Sequence, residues 1–285
     1  MQGKLVLVTG ATNGIGKETA LALAKMGAQV VIAGRSPDRT AAAAQEIRER
    51  SGNAQVDFLT ADLSSQAEVR RLAEEFKARY PRLDVLVNNA GAVFSSRQVS
   101  ADGHEMTFAL NHLAYFLLTN LLLERLQASA PARIVNVASA AHSFGKLDFD
   151  DLEVHHYTMG GYNAYGRSKL ENVMFTYELA RRLQGSGVTA NAVHPGGVRS
   201  GFGLNNPGVF HLAIMIAGWF EVSPEEGAQT SIYAASSPEV EGVTGKYFVK
   251  CKPVPSSPES YDEAAQRRLW EISAQLTGIS QLAAE

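Results

Sequence analysis

Cysteine is almost absent. Cys251 is the one thiol in 285 residues, which excludes an intrachain disulfide and fits a reducing compartment. An excess of positive charge is also lacking. The 26 basic side chains face 29 acidic ones, for a net charge of -3, so no basic field exists to hold nucleic acid. The apolar run in MQGKLVLVTG and the run at 212–220, LAIMIAGWF, both fall short of the roughly 20 residues that span a membrane. The first also lacks a signal-peptide layout. The expectation is a cytoplasmic chain with no transmembrane segment; peripheral contact of the 202–220 stretch with a membrane stays open. Seven histidines occur without an HExxH pattern, and His155 and His156 are adjacent, so no metal site is expected. Internal repeats, low-complexity tracts and domain-separating linkers are missing too.

What is present is an alternation. Short apolar, β-branched runs at 4–9, 29–33, 55–60, 84–87, 133–138, 189–193 and 246–249 read as strands. Between most of them lie helical patterns at 16–26, 38–50, 66–79, 106–127, 162–184 and 224–236. Near-continuous apolar strands bounded by helices imply a parallel sheet covered on both faces. The expected fold is therefore α/β: a Rossmann-type, doubly wound, mostly parallel sheet of seven strands. The whole of 1–285 reads as one dinucleotide-binding domain, with a substrate lid at about 200–223 and a Pro/Ser-rich tail at about 252–285.

The first strand runs into TGATNGIGKETALALA. A glycine turn between a strand and a helix is the context in which backbone N–H groups and the helix dipole hold a pyrophosphate. Gly10, Gly14 and Gly16, with Thr12, Asn13 and Ile15 between them, are the candidate cofactor residues. The alternative is a glycine-rich turn without a ligand. The second strand ends in VVIAGRS. An NAD site usually carries an acidic residue here, whereas this chain has Gly34 and then Arg35. A guanidinium binds a 2′-phosphate that a carboxylate would repel. NADP(H) is therefore expected over NAD(H), with a plain surface arginine as the other reading. Lys17 lies on the first helix with its reach undefined.

Tyr165 and Lys169, in YGRSK, stand one helical turn apart, on one face. A free tyrosine has a pKa near about 10, too high for ready proton exchange at neutral pH. A nearby ammonium favours the phenolate and is expected to lower that value. Ser139 follows a buried strand, where ligands of parallel sheets collect and where its hydroxyl can orient a carbonyl.

Gly10-x-x-x-Gly14-x-Gly16, Asp62, Asn88-Asn89-Ala90-Gly91, Ser139 and Tyr165-x-x-x-Lys169 come in one order along the chain. Together they resemble the short-chain dehydrogenase/reductase family over essentially the whole length. Longer stretches, among them GIGKETALALA, RIVNVASAAH, SKLENVMFTYELARRLQGSGV and HPGGVRS, are similar to its retinol dehydrogenase branch. That resemblance implies an NADP-preferring reductase of apolar aldehydes and ketones. It implies a catalytic set of Asn111, Ser139, Tyr165 and Lys169, with Asn111 holding a water that links Lys169 to solvent and Lys169 also bonding the nicotinamide ribose. Asn111, a polar residue in FALNHLAYFLL, reads equally as a structural hydrogen-bonder. The resemblance further implies that Asp62, beside Leu63, binds the adenine. It assigns Asn89, Ala90 and Gly91 to the adenine ribose, and Pro195, Gly196, Val198 and Ser200 to the nicotinamide. Assembly as a homodimer or homotetramer through the helices at 106–127 and 162–184 is implied as well.

The functional expectation is an oxidoreductase transferring a hydride between NADP(H) and a small apolar aldehyde, ketone or alcohol, with retinal and medium- or long-chain aldehydes as candidates. Two other readings stand beside it: a protochlorophyllide reductase-like enzyme, and a sensor that binds NADP(H) without turnover. His142 and His194 lie near the proposed pocket and read as lining rather than as bases, because Tyr165 already fills that role.

Overall fold

The computed structural model describes residues 1–196 and 223–279. Eight strands form one sheet: β1 (Leu5–Thr9), β2 (Gln29–Gly34), β3 (Val56–Thr60), β4 (Val85–Asn88), β5 (Ala132–Val137), β6 (Val188–His194), β7 (Tyr247–Val249) and β8 (Lys252–Val254). Their order is β3-β2-β1-β4-β5-β6-β7-β8. Pairing is parallel from β3 to β7, and β8 returns antiparallel on β7. The seven expected strands are present, each within one residue at either end. The eighth lies in the Pro/Ser-rich stretch expected as tail, and Pro253, which cannot donate to a ladder, is tolerated there. It survives at the sheet edge, where Val249 pairs with Lys252.

Helices cover both faces. On one side lie α1 (Gly14–Lys25), α2 (Pro37–Ser51) and α6 (Pro224–Ser236). On the other lie α3 (Gln66–Arg79), α4 (Met106–Ala128), α5 (Tyr162–Arg182) and α7 (Glu263–Thr277). The period of two along β1 sorts the core. Leu5 and Leu7 face α3 and α4, while Val6 and Val8 face α1 and α2. Helices α2, α6 and α7 start where short polar residues cap them. Ser36 accepts from the Arg39 N–H ahead of Pro37, and Asp262 accepts from the Ala265 N–H at 3.0 Å. In α3, Val69, Leu72, Ala73 and Phe76 form one apolar stripe. Phe76 is fully buried, a burial that contributes about 2–3 kcal/mol.

The stretch Met106–Ala128 is apolar and long enough to cross a membrane, but 78% of its most apolar window is buried inside the fold. It is a core helix. Its outer side, and that of α5, is covered by α7. Trp270 packs edge-on to Phe116 at 4.8 Å and stacks on Phe175 at 5.8 Å. The Arg182 guanidinium lies 4.4 Å from the indole centroid. Ser273 bonds His112 at 2.8 Å. Both helices expected to carry subunit association thus pack against this chain's own C-terminal helix.

The strand order reverses between β1 and β4. In parallel α/β sheets this switch point opens a crevice at the carboxyl ends of the strands. The described candidate residues line it except Asn111, which is buried behind Gly91. Val198, Ser200 and the lid stretch at 200–222 lie outside the described residues.

Candidate active site

One crevice of roughly 450 Å³ runs across the carboxyl ends of β1, β2, β4 and β5. Its glycine end is lined by Gly10, Thr12, Asn13, Gly14, Ile15 and Gly16, with Arg35, Asp62 and Leu63 beyond them. Asn89, Ala90 and Gly91 form the middle. Ser139, Tyr165, Lys169, Pro195 and Gly196 close the far end. Residues scattered over the whole chain thus share one cavity.

The glycine loop is shaped for close approach. Gly10 sits at φ +65°, and a Cβ there would lie 2.7 Å from the Ala90 Cα. A Cβ on Gly16 would lie 2.4 Å from the Asn89 Nδ2. Asn89 is the loop's clamp: its amide donates to the Thr9 carbonyl at 2.9 Å and to the Gly10 carbonyl at 3.2 Å. The N-terminus of α1 opens on the crevice. Asn13 makes no side-chain capping bond, and the first turn holds no acidic residue. Those N–H groups and the positive end of the helix dipole suit a pyrophosphate.

At the end of β2, a Cβ on Gly34 would lie 2.5 Å from both the Thr12 Cγ2 and the Thr40 Oγ1. The space that a ribose-binding carboxylate would need is filled. Arg35 is mostly exposed, and its guanidinium stands 3.8 Å from the Asp62 carboxylate. Asp62 also accepts from the Ser64 N–H at 3.0 Å and hydroxyl at 2.7 Å. Lys17 is held by Glu46 on α2 at 2.8 Å. A nicotinamide dinucleotide fits this donor set, with the α1 N-terminus for the pyrophosphate.

At the other end, α5 carries Tyr165 and Lys169, both buried. Lys169 donates to the Val137 carbonyl at 2.9 Å. Its ammonium lies 5.6 Å from the centroids of the Tyr115 and Tyr165 rings. Ser139, at the end of β5, hydrogen-bonds the Tyr165 hydroxyl. Burial pushes the Tyr165 pKa up, opposed by that bond, and burial draws Lys169 down to about 7. The expectation that Lys169 lowers the tyrosine's pKa therefore does not hold for the protein alone. Burial penalises the charged form of each group and dominates both shifts.

Asn111 is fully buried at the centre of a widened π turn, Ala109–Leu113, within α4. Its Oδ1 accepts from the Ala92 N–H at 2.9 Å. Its Nδ2 donates to the Ala92 carbonyl and to the Ser168 hydroxyl, each at 3.0 Å. Ser168, inside YGRSK, was not singled out by the sequence; its hydroxyl donates to the Tyr165 carbonyl at 2.8 Å. The two histidines brace the Ser139 turn. His142 donates to the Ser139 carbonyl at 2.7 Å and accepts from the Ser257 N–H at 3.0 Å. His194 accepts from the Ala140 N–H at 3.2 Å, and burial drives it to about 4. Sequence reasoning also missed Val93 and Phe94, which line the crevice just past Gly91. Their place two and three residues after Asn89-Ala90-Gly91 was their only signal.

Known proteins resemble this chain in sequence and in fold. Residues 4–206 match the short chain dehydrogenase family. Human retinol dehydrogenase 12 is 46% identical over 284 residues, covering 98% of this chain and 88% of that protein. An uncharacterized protein from Mycobacterium paratuberculosis superposes with a TM-score of 0.78 at 31% identity, covering 97% of this chain and 94% of that one. The NADP active-site complex of Pseudomonas aeruginosa RhlG superposes with a TM-score of 0.70 at 29% identity, covering 87% and 94%.

Proposed function

The chain belongs to the short-chain dehydrogenase family and is an oxidoreductase; we propose that it uses NADP(H) to interconvert an apolar aldehyde or ketone and the matching alcohol, with Tyr165 as the acid–base group. The observation that carries this reading is the single crevice that joins Arg35 and the uncapped α1 terminus to Ser139, Tyr165 and Lys169. The NADP complex of the Pseudomonas aeruginosa neighbour supports the cofactor. The name of the human relative supports a retinoid or similar long apolar substrate. Val93 and the half-buried Tyr162 beside Tyr165 give the reacting end apolar walls. We read the chain as one dinucleotide-binding domain working in the cytoplasm.

When bound, the nicotinamide supplies the hydride in reduction and takes it up in oxidation. Ser139 hydrogen-bonds the substrate carbonyl and orients it beside the phenol. As the carbonyl carbon gains the hydride, its oxygen gains charge, and the Tyr165 hydroxyl donates its proton to that oxygen. Lys169, near neutrality in its own titration, returns a proton to the phenolate side from solvent. The raised tyrosine pKa keeps the phenol protonated at neutral pH, the form that donates a proton in reduction. Burial of both groups keeps bulk water from competing for the transferred proton.

NADPH oxidation by purified protein, measured against retinal, decanal and a small polar ketone, tests the reading. Turnover of the apolar carbonyls is expected, falling by about 10²–10⁴-fold in Tyr165→Phe with NADPH binding retained. If the wild type binds NADPH but is silent with a broad panel of carbonyls and alcohols, the sensor reading replaces it.

A further inference from the structure

The widened turn of α4 makes Asn111 a junction. Its backbone carbonyl accepts from the Asn172 Nδ2 at 2.9 Å. Its side chain grips Ala92 from both ends of the amide and reaches Ser168. A Cβ on Gly91 would lie 3.1 Å from the Asn111 Oδ1 and 3.5 Å from the Lys169 Nζ. Asn111 and Lys169 therefore wall the same spot on the crevice floor. π turns break the regular hydrogen-bond ladder and leave backbone groups for partners outside it. Asn172 supplies such a partner, three residues after Lys169 and on the same face of α5. It is fully buried. The neighbouring His112, one residue past Asn111, meets Ser273 of α7 through its Nε2 at 2.8 Å.

We propose that Asn172 is a positioning residue: its side-chain amide holds the π turn of α4, and through Asn111 it fixes the Ala92 loop and the floor beneath Lys169. The catalytic part of this inference rests on the reductase reading above. The structural part does not. Losing the Asn172 donor leaves the Asn111 carbonyl buried without that bond, so the turn relaxes toward a regular helix. Asn111 then releases Ala92, and the Lys169 ammonium loses a fixed polar wall.

Asn172→Leu, which fills similar volume without a donor, is compared with Thr176→Val. The latter removes the 3.0 Å bond from the Asn136 Nδ2 to the Thr176 hydroxyl and that hydroxyl's 2.7 Å bond to the Asn172 backbone carbonyl, and leaves the Asn172 side-chain amide in place. Two readouts are taken: hydrogen exchange of the Ala92 amide by NMR, and the pH profile of NADPH-dependent turnover. In Asn172→Leu the Ala92 amide is expected to exchange at least about tenfold faster, and the midpoint of the pH profile to move. Thr176→Val should change neither. Unchanged Ala92 exchange in Asn172→Leu overturns the proposal, and so does an equal acceleration in both variants, which would mean general loosening. If the wild type turns over no carbonyl, the reductase reading fails and the exchange comparison still decides the role of Asn172. Should Asn172→Leu not fold, Asn172→Ser is read in the same two assays.

Discussion

Replacing Glu171 with leucine is expected to stabilise the protein, and to do so more strongly as the pH rises. Glu171 lies on α5 with 1% of its surface exposed. Neither carboxyl oxygen has a hydrogen-bond partner among the described residues. Arg167, one turn earlier, pulls its pKa down but donates to the Asp151 carbonyl instead of to the carboxyl. Burial dominates, Glu105 adds repulsion, and the group rises from 4.5 to about 8. The folded state thus keeps a proton that the unfolded state has already lost. Below the unfolded value both states are protonated and the titration costs nothing. As the pH rises toward 8 the folded state is penalised by about 1.4 kcal/mol per unit, or about 5 kcal/mol over the whole window. At pH 5 the gain in Glu171→Leu should be small, because the unpartnered neutral carboxyl costs about 1–3 kcal/mol and the change of shape takes back about 1 kcal/mol. Urea unfolding of both proteins at pH 5, 6, 7, 8 and 9 measures the difference, in which the other titrating groups cancel. A difference that does not grow between pH 6 and 8 would refute the burial argument.

Three further outcomes follow from the geometry. Gly16→Ala places a Cβ against the Asn89 amide and 2.7 Å from the Gly10 carbonyl, so the loop must shift; NADPH affinity by fluorescence titration should fall about ten- to a hundredfold, and unchanged affinity contradicts the close approach. Arg35→Ala should raise the KM for NADPH about ten- to a hundredfold, the worth of charged hydrogen bonds of about 1.5–3 kcal/mol, and leave NADH unchanged; equal losses for both would detach Arg35 from the 2′-phosphate. Trp270→Ala, emptying the space between Phe116, Phe175 and the Arg182 guanidinium, should destabilise by about 3–5 kcal/mol in urea unfolding; a loss below about 1 kcal/mol would mean that α7 is not a core helix.

The strands were legible because a parallel sheet buried on both faces demands unbroken β-branched runs, such as LVLVT in β1 and QVVIAG in β2. The site was legible where function is written in local spacing: three glycines after a strand, and Tyr165 one turn before Lys169. What escaped depends on distant partners. The α4 pattern shows one helix, and no periodicity reveals that five of its residues form a π turn. Asn172 looks like any polar residue on a helix until Asn111 is placed 61 positions away. The electrostatics escaped for a related reason. An i,i+4 phenol and ammonium suggest mutual support, but desolvation at Tyr165 and Lys169 comes from elements far off in the chain. Ser36, Pro37 and Gly52 bracket α2 by local rules alone, and that helix could be read directly.

The C-terminal helix has one more consequence. α7 is tethered to the sheet by the short segment after β8, so it meets α4 and α5 as an intramolecular ligand. A tether of that kind presents its helix at an effective concentration in the millimolar range, of the order reached by short flexible linkers. The brace on the catalytic helix is therefore independent of protein concentration, and the support behind Tyr165 and Lys169 comes from chain connectivity rather than from association between molecules.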